Sequence, residues 1–430
     1  MKNYAIAPQN TWHLSLVLIF LICLPQDFFA QTDERFKGQP PIALVSTVAK
    51  PVQKQWKGEF TFDEGSLRFN NDFDGARLNG VIQTNDSTYT ALITSENTPV
   101  NMSPWYAFKV SSSKKRTIHL MLTYQKEGKH RYIPKLSTDG VRWKMIDSRQ
   151  YVVHKEETEK LGLTAQLILD LNTEPLWVSS QELETTGRVH TWAMGLAKEK
   201  FITKSVIGRS REGRDMELLT IGKPQSKRML MVISRQHPPE VTGYLAMQAF
   251  IETIGGDSRL AKRFRRKYTT YVVPLMNPDG VDNGHWRHNA GAADLNRDWG
   301  QFNHPETRAV RDFMVSREKK TKGTFYFGID FHSTWDDIYY TLNEQHQGNM
   351  PGLVPAWLEN IKKDLEGYDP FIRGNDPKEA TAVSRDYFFT AHGAESLVFE
   401  IGDTTERSFI KEKGKVSAEH LMRMMLERMD

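Results

Sequence analysis

The sequence predicts an α/β protein, a mixed parallel sheet flanked by helices, preceded by an antiparallel β-sandwich. Three observations lead there. Residues 40–172 carry short runs that alternate apolar and polar with a period of two, separated by turn formers such as "NNDFDG", "SENTP" and "STDG". From Arg188 the pattern changes, and unbroken apolar runs alternate with helix-like segments, the mark of a sheet buried on both faces. At 430 residues the chain is long enough for both parts and a sizeable core.

The first thirty residues stand apart. "LSLVLIFLICL", Leu14 to Leu24, is too short to span a bilayer comfortably and suits a signal-peptide core. "DFFAQT" offers cleavage after Ala30, although Phe28 is large for that site. Residues 1–30 are therefore expected to be a signal peptide, which implies a periplasmic or secreted protein and no stable membrane insertion of the mature chain. Cys23 is the only cysteine. It follows Leu21 and Ile22, where lipidation would want small residues. Cleavage after Ala30 removes it, so any metal must be held by His, Asp or Glu.

Residues 40–185 form the expected sandwich. "WYAFKV" puts Tyr106, Phe108 and Val110 on one face, and "TIHLMLTY" puts Ile118, Leu120, Leu122 and Tyr124 on one side with His119 and Met121 on the other. The stretch contains no chemical constellation. Residues 188–430 form the expected α/β domain. "RMLMVIS" and "TTYVVPLM" read as buried strands, and "VTGYLAMQAFIETI" and "HPETRAVRDFMVSREKK" read as helices.

Composition is ordinary for a soluble globular protein, at 39% hydrophobic and 26% charged. A net charge of +4 over this length does not point to nucleic acid. The densest basic stretch, "RLAKRFRRKY" from Arg259 to Tyr268, reads as a solvated helix face, or as a surface that attracts acidic ligands.

Chemistry gathers at predicted strand ends. "VISRQHPPEVTG" leaves a strand and offers His237 and Glu240. That pair alone is weak; "YFGIDFHSTWDD" adds His332, again after an apolar run. Two histidines and a glutamate with a fourth position for water form an open catalytic zinc arrangement. "NGHWRHNAGAADLNRDWG" adds Arg287, Asp294, Asn296 and Arg297, and "ESLVFEIGD" ends a strand-like run at Glu400 between Phe399 and Ile401. Neither G-x-S-x-G nor H-E-x-x-H occurs.

The order of "HPPE", "R…DLNRDW", "DFH" and "VFEIG" resembles the zinc metallocarboxypeptidase (funnelin) family. It looks closest to the cytosolic carboxypeptidase branch, the tubulin deglutamylases and their bacterial relatives. "FDGARLNG" and "WYAFKVSS" resemble that branch's N-terminal domain. The resemblance covers nearly all of the mature chain. It implies one Zn2+ per chain on His237, Glu240 and His332, with Asp294 as a carboxylate behind a histidine. It implies Glu400 as general base, Arg287 at the oxyanion, and Asn296 with Arg297 on the terminal carboxylate of a peptide substrate. Pro239 between the first two ligands fits this branch, whereas "DFHST" departs from its usual D-aromatic-H-G-H. Tyr387 is the candidate for the family's mobile tyrosine, with a core aromatic as the competing reading. Arg385 lies near the branch's acid-selecting position, with a salt bridge to Asp386 as its competitor.

The expected activity is hydrolysis of the last peptide or isopeptide bond, with a preference for acidic termini. A cell-wall stem-peptide carboxypeptidase and an inactive peptide- or glycan-binding protein are the alternatives. Oligomeric state is not legible.

Overall fold

The computed structural model describes Gly38 and residues 50–101, 103–126, 128–154, 164–378 and 382–428. The signal-peptide reading, residues 1–30 with Cys23, lies outside them. The described residues from Gly38 onward belong to one compact unit.

The N-terminal strands are β1 (Glu59–Phe62), β2 (Leu67–Asn70), β3 (Gly80–Gln83), β4 (Thr88–Ile93), β5 (Ala107–Ser112), β6 (Arg116–Tyr124), β7 (Lys135–Ser137), β8 (Lys144–Met145), β9 (Tyr151–His154), β10 (Thr164–Leu171) and β11 (Leu176–Ser179). They build one sheet in the order β1-β2-β5-β11-β7-β8 and another in the order β3-β4-β6-β10-β9. Their inner faces share one core, with Phe69, Phe108 and Val178 from the first sheet against Tyr89, Leu120 and Leu167 from the second. The period of two is what divides each strand between core and solvent. Tyr106, Phe108 and Val110 are buried, as are Ile118, Leu120, Leu122 and Tyr124, while His119 and Met121 stay half-exposed. One detail departs from a purely antiparallel sandwich: β4 and β6 run parallel. Between them the chain crosses to the other sheet as β5 and returns, so β6 resumes the direction of β4.

The second part adds β12 (Ile202–Arg209), β13 (Asp215–Ile221), β14 (Arg228–Ser234), β15 (Thr269–Val273), β16 (Thr324–Thr334), β17 (Ile338–Leu342), β18 (Phe371–Asn375) and β19 (Glu395–Gly402). Its sheet runs β12-β13-β15-β14-β16-β19-β17-β18. The central strands β15, β14, β16 and β19 are parallel. The helices are α1 (Thr186–Leu196), α2 (Val241–Ile254), α3 (Arg259–Lys267), α4 (Pro278–Asp282), α5 (Pro305–Thr321), α6 (Leu353–Asp364), α7 (Ser384–His392) and α8 (Arg407–Glu427). Alternation along β14 sends Leu230 and Val232 into a core with α2, α3, α6 and α8, and Met229, Met231 and Ile233 into one with α5 and α7. A parallel sheet covered on both faces places its chemistry where strands end.

The two parts share a seam. Trp286, from the loop after α4, is fully buried in the sandwich core, and its indole N–H donates to the Trp105 carbonyl at 3.2 Å.

Candidate metal centre and substrate cleft

His237 and Glu240 lie between β14 and α2, and His332 lies near the end of the neighbouring β16. Glu240 is the N-cap of α2. The first turn of α2 lies directly on β16: the Gly243 N–H and the Thr242 hydroxyl both donate to Ser333 Oγ at 2.8 Å. A Cβ on Gly243 would come within 2.3 Å of the His332 carbonyl oxygen, so a glycine is what lets helix and strand approach this closely.

One ligand atom from each of His237, Glu240 and His332 falls within 4.8 Å of the others. Nδ1 of His237 approaches Glu240 Oε1 to 2.8 Å, and Nδ1 of His332 approaches Oε2 to 2.6 Å. The far nitrogens are held by carboxylates: His237 Nε2 lies 2.9 Å from Asp294 Oδ1 and His332 Nε2 lies 2.8 Å from Asp330 Oδ2. With each Nε2 facing a backing carboxylate, each imidazole turns its Nδ1 toward Glu240, the arrangement that carboxylate-backed metal ligands adopt. Burial works against ionising Glu240, but His237 and His332 outweigh it and hold the carboxyl well below its usual range. Burial likewise opposes charge on His332, but Asp330 and Glu240 outweigh it and raise the imidazole. Two nitrogen donors and a carboxylate, buried among further carboxylates, fit a zinc ion.

Glu400 on β19 pairs in register with His332. Its side chain keeps partial access to solvent, and Oε2 has no hydrogen-bond partner among the described residues. Burial and then the neighbouring Glu240 push its pKa up to about 8, against His332, Arg131 and Arg287, which pull it down. Asp294 ties the remaining groups together. It accepts from Arg287 Nε at 2.8 Å and from the Asn296 N–H at 2.9 Å while holding His237. The Asn296 amide lies 3.4 Å from His332 Nε2, and its carbonyl accepts from the Ser384 N–H at 3.0 Å. Arg297, half-exposed, donates to the Asn296 carbonyl at 2.8 Å and has no carboxylate partner among the described residues.

The peptidase M14 zinc carboxypeptidase family matches residues 189–420, more than half of the chain. The chain belongs to the zinc carboxypeptidase family, a family of peptide hydrolases. An uncharacterized protein of Zymomonas mobilis is 26% identical over 260 residues, 58% of this chain and 64% of that protein. Cytosolic carboxypeptidase 6 of Caenorhabditis elegans is 23% identical over 348 residues, 75% of each chain. Among solved structures, a Burkholderia cenocepacia metallo-carboxypeptidase superposes with a TM-score of 0.68 at 19% identity, covering 84% of this chain and 98% of that one. A Pseudomonas aeruginosa metallo-carboxypeptidase superposes at 0.66 with 21% identity, covering 84% and 99%. At these identities the structural likeness speaks for the zinc carboxypeptidase fold with its strand-rich N-terminal region.

Within this chain, two expected residues are buried in protein. The Arg385 guanidinium is buried and donates through Nε and Nη2 to Asp386, at 3.0 and 2.7 Å, and through Nη1 to the Thr341 carbonyl at 2.7 Å. It is a core ion pair rather than a pocket cation. Tyr387 is also in the core: its ring packs on Trp299 and Phe302, and its hydroxyl meets His392 Nε2 at 3.1 Å. On a helix packed against the sheet, both point into protein.

Sequence reasoning passed over Asp330, although "DFH" displays it two residues before the ligand. Its Oδ2 also accepts from Gln236 Nε2 and the Ser384 hydroxyl, so His332 is fixed from behind by a braced carboxylate. It also passed over Arg131, which reaches from the sandwich to Asp403 at 2.7 Å, just after the strand of Glu400. No local motif announces that contact.

Proposed function

We propose that this chain is a zinc-dependent carboxypeptidase that removes the last residue of peptides ending in a free carboxylate, acting in the periplasm or outside the cell. The observation that carries the reading is the buried His237, Glu240 and His332 triad, with Glu400 in register beside it. The spans shared with its sequence relatives, 64% of the Zymomonas protein and 75% of the nematode one, leave the activity of the whole chain to experiment. The compartment rests on the apolar run Leu14–Leu24. No helix among the described residues is long and apolar enough to cross a membrane.

Zinc held by His237, Glu240 and His332 would supply a Lewis acid that makes water acidic near neutral pH. Glu400 is the group placed to hold and move a proton, from the attacking water to the leaving amine, a shuttle suited to a carboxyl whose pKa is raised toward neutrality. Arg287, held through its Nε on Asp294, is the cation assigned to the carbonyl oxygen where negative charge develops. Arg297, with Asn296, takes the terminal carboxylate, which a planar guanidinium can bind bidentately. That contact limits the enzyme to chain ends.

Arg385 is committed to Asp386, so a preference for acidic termini would need another cation in the pocket. Retention of the metal ligands, the base and both arginines argues against an inactive binding protein. The test is release of amino acids from peptides ending in Glu, Asp, Lys, Leu and diaminopimelate, with and without a chelator. Release that chelation abolishes supports the reading. No release from any peptide, by protein with zinc bound, would sink it. Faster release of Glu than Lys would support the acidic preference, and preference for diaminopimelate would point to cell-wall stem peptides.

A further inference from the structure

The loop that carries Arg287 is built around a carboxylate from the other part of the chain. Glu96 lies after β4 in the sandwich and is 0% exposed. Its Oε2 accepts from the Trp286 N–H at 2.7 Å, and its Oε1 accepts from the Arg287 N–H at 3.0 Å and the His288 N–H at 2.6 Å. Three consecutive backbone donors converging on one anion form a nest, a conformation that an anion holds in place. Around it, Arg77 Nη2 lies 3.9 Å from Glu96 Oε2, Arg77 Nε donates to the Gly284 carbonyl at 2.7 Å, and Asn97 Oδ1 meets His288 Nδ1 at 2.6 Å. The Trp286 indole fills the sandwich core beside Tyr124. Burial opposes ionisation of Glu96, but His285, His288, Arg77 and the His288 N–H outweigh it, and the carboxyl stays a carboxylate.

We propose that Glu96 is a positioning residue for Arg287, so that the N-terminal region is part of the machinery for transition-state stabilisation. This rests on the reading of Arg287 as the oxyanion donor. Glu96 holds the backbone at residues 286–288 and Asp294 holds Arg287 Nε, so the side chain is anchored at both its root and its head. A glutamine there keeps one acceptor oxygen and turns an NH2 donor toward the remaining N–H, so at least one buried N–H loses its acceptor along with the charge, and the loop must rearrange to satisfy it. Glu96 touches no metal ligand, so its effect should bypass the zinc.

The experiment uses full-length zinc-loaded protein with Glu96→Gln, Glu96→Asp, Arg287→Ala and the double variants, reading kcat, KM, zinc content and thermal midpoint. Glu96→Gln is expected to lower kcat by about ten- to a hundredfold, as a displaced oxyanion donor does. KM and one zinc per chain are expected to hold. In the Arg287→Ala background the same change should cost nothing further in kcat, which a purely structural loss of stability would not reproduce. Glu96→Asp keeps the charge, should give an intermediate kcat, and serves the same cycle if the Gln variant does not fold. Wild-type kcat in the Glu96 variants, an undiminished loss on top of Arg287→Ala, or a KM effect without a kcat effect overturns the inference and leaves the proposed function standing. Wild-type kcat in Arg287→Ala overturns both the inference and the assigned role of Arg287.

Discussion

Glu400 and Arg297 occupy opposite electrostatic situations, and each predicts its own phenotype. The Glu400 carboxyl is raised from an ordinary 4.5 to about 8 by burial and by Glu240. A raised carboxyl pKa favours the protonated form, whereas the shuttle needs the carboxylate to start. Activity therefore falls as pH drops through that pKa. Bound zinc would draw it downward, so the acid limb of kcat/KM should have its midpoint between 4.5 and 8. A midpoint below 4.5 would show that another group is being titrated. Glu400→Gln should keep its zinc and lose about 10²- to 10⁴-fold in kcat, the scale of general acid–base catalysis. Arg297 is instead a half-exposed cation with no carboxylate partner among the described residues. Arg297→Ala should raise KM by roughly ten- to a hundredfold, since a hydrogen bond to a charged group contributes about 1.5–3 kcal/mol. Amidating the peptide should do the same to the wild type. Equal turnover of amidated and free peptides would contradict the assignment.

The elements that hold the site were legible because their signals are local. β14, β16 and β19 are built on apolar runs, and His237 follows β14 while His332 and Glu400 lie within β16 and β19, two residues before each strand ends. The partnership of Arg385 and Asp386 was not legible as anything firmer than an option. Adjacent charges on a helix can pair or diverge, and the Thr341 carbonyl that fixes the choice lies 44 residues away. Asp330 was visible as a letter; strand alternation puts it on the face of His332, but the Gln236 and Ser384 contacts that brace it come from distant segments. Gly243 belongs to the same scale. Gly243→Ala would press a Cβ onto the His332 backbone, which cannot swing aside as a side chain would. About 1–3 kcal/mol of lost stability is expected, as for overpacking, together with weaker zinc binding because Glu240 starts the displaced helix. Denaturant unfolding and zinc competition measure the two. A variant as stable as wild type with unchanged zinc affinity would show that the helix can slide at no cost.

Over the whole molecule, the sandwich and the α/β part divide cleanly in sequence pattern, yet they meet through buried groups. Trp286, Glu96, Arg77 and the Arg131–Asp403 pair cross the seam, and none was legible, because each joins segments far apart in the chain. The seam gives acid stability a specific shape. Glu96 has its pKa lowered from 4.5 to about 2, because His285, His288, Arg77 and the His288 N–H outweigh its burial. Such a group contributes its full stabilisation above the unfolded value and loses it as pH falls through the folded one. Stability should therefore decline between 4.5 and 2, with Glu96→Gln declining less steeply over that window. Equal slopes in urea unfolding at several pH values would show that Glu96 takes up no proton there. Above that window, the base, the oxyanion arginine and the seam that supports it all serve the metal triad. The measurement that tests it most directly is a titration of chelator-treated full-length protein with zinc, following release of a C-terminal amino acid. Activity is expected to rise linearly to one zinc per chain and then hold level, with no recovery in His332→Ala. Full activity in metal-free protein, or recovery by zinc in His332→Ala equal to the wild type, would contradict it.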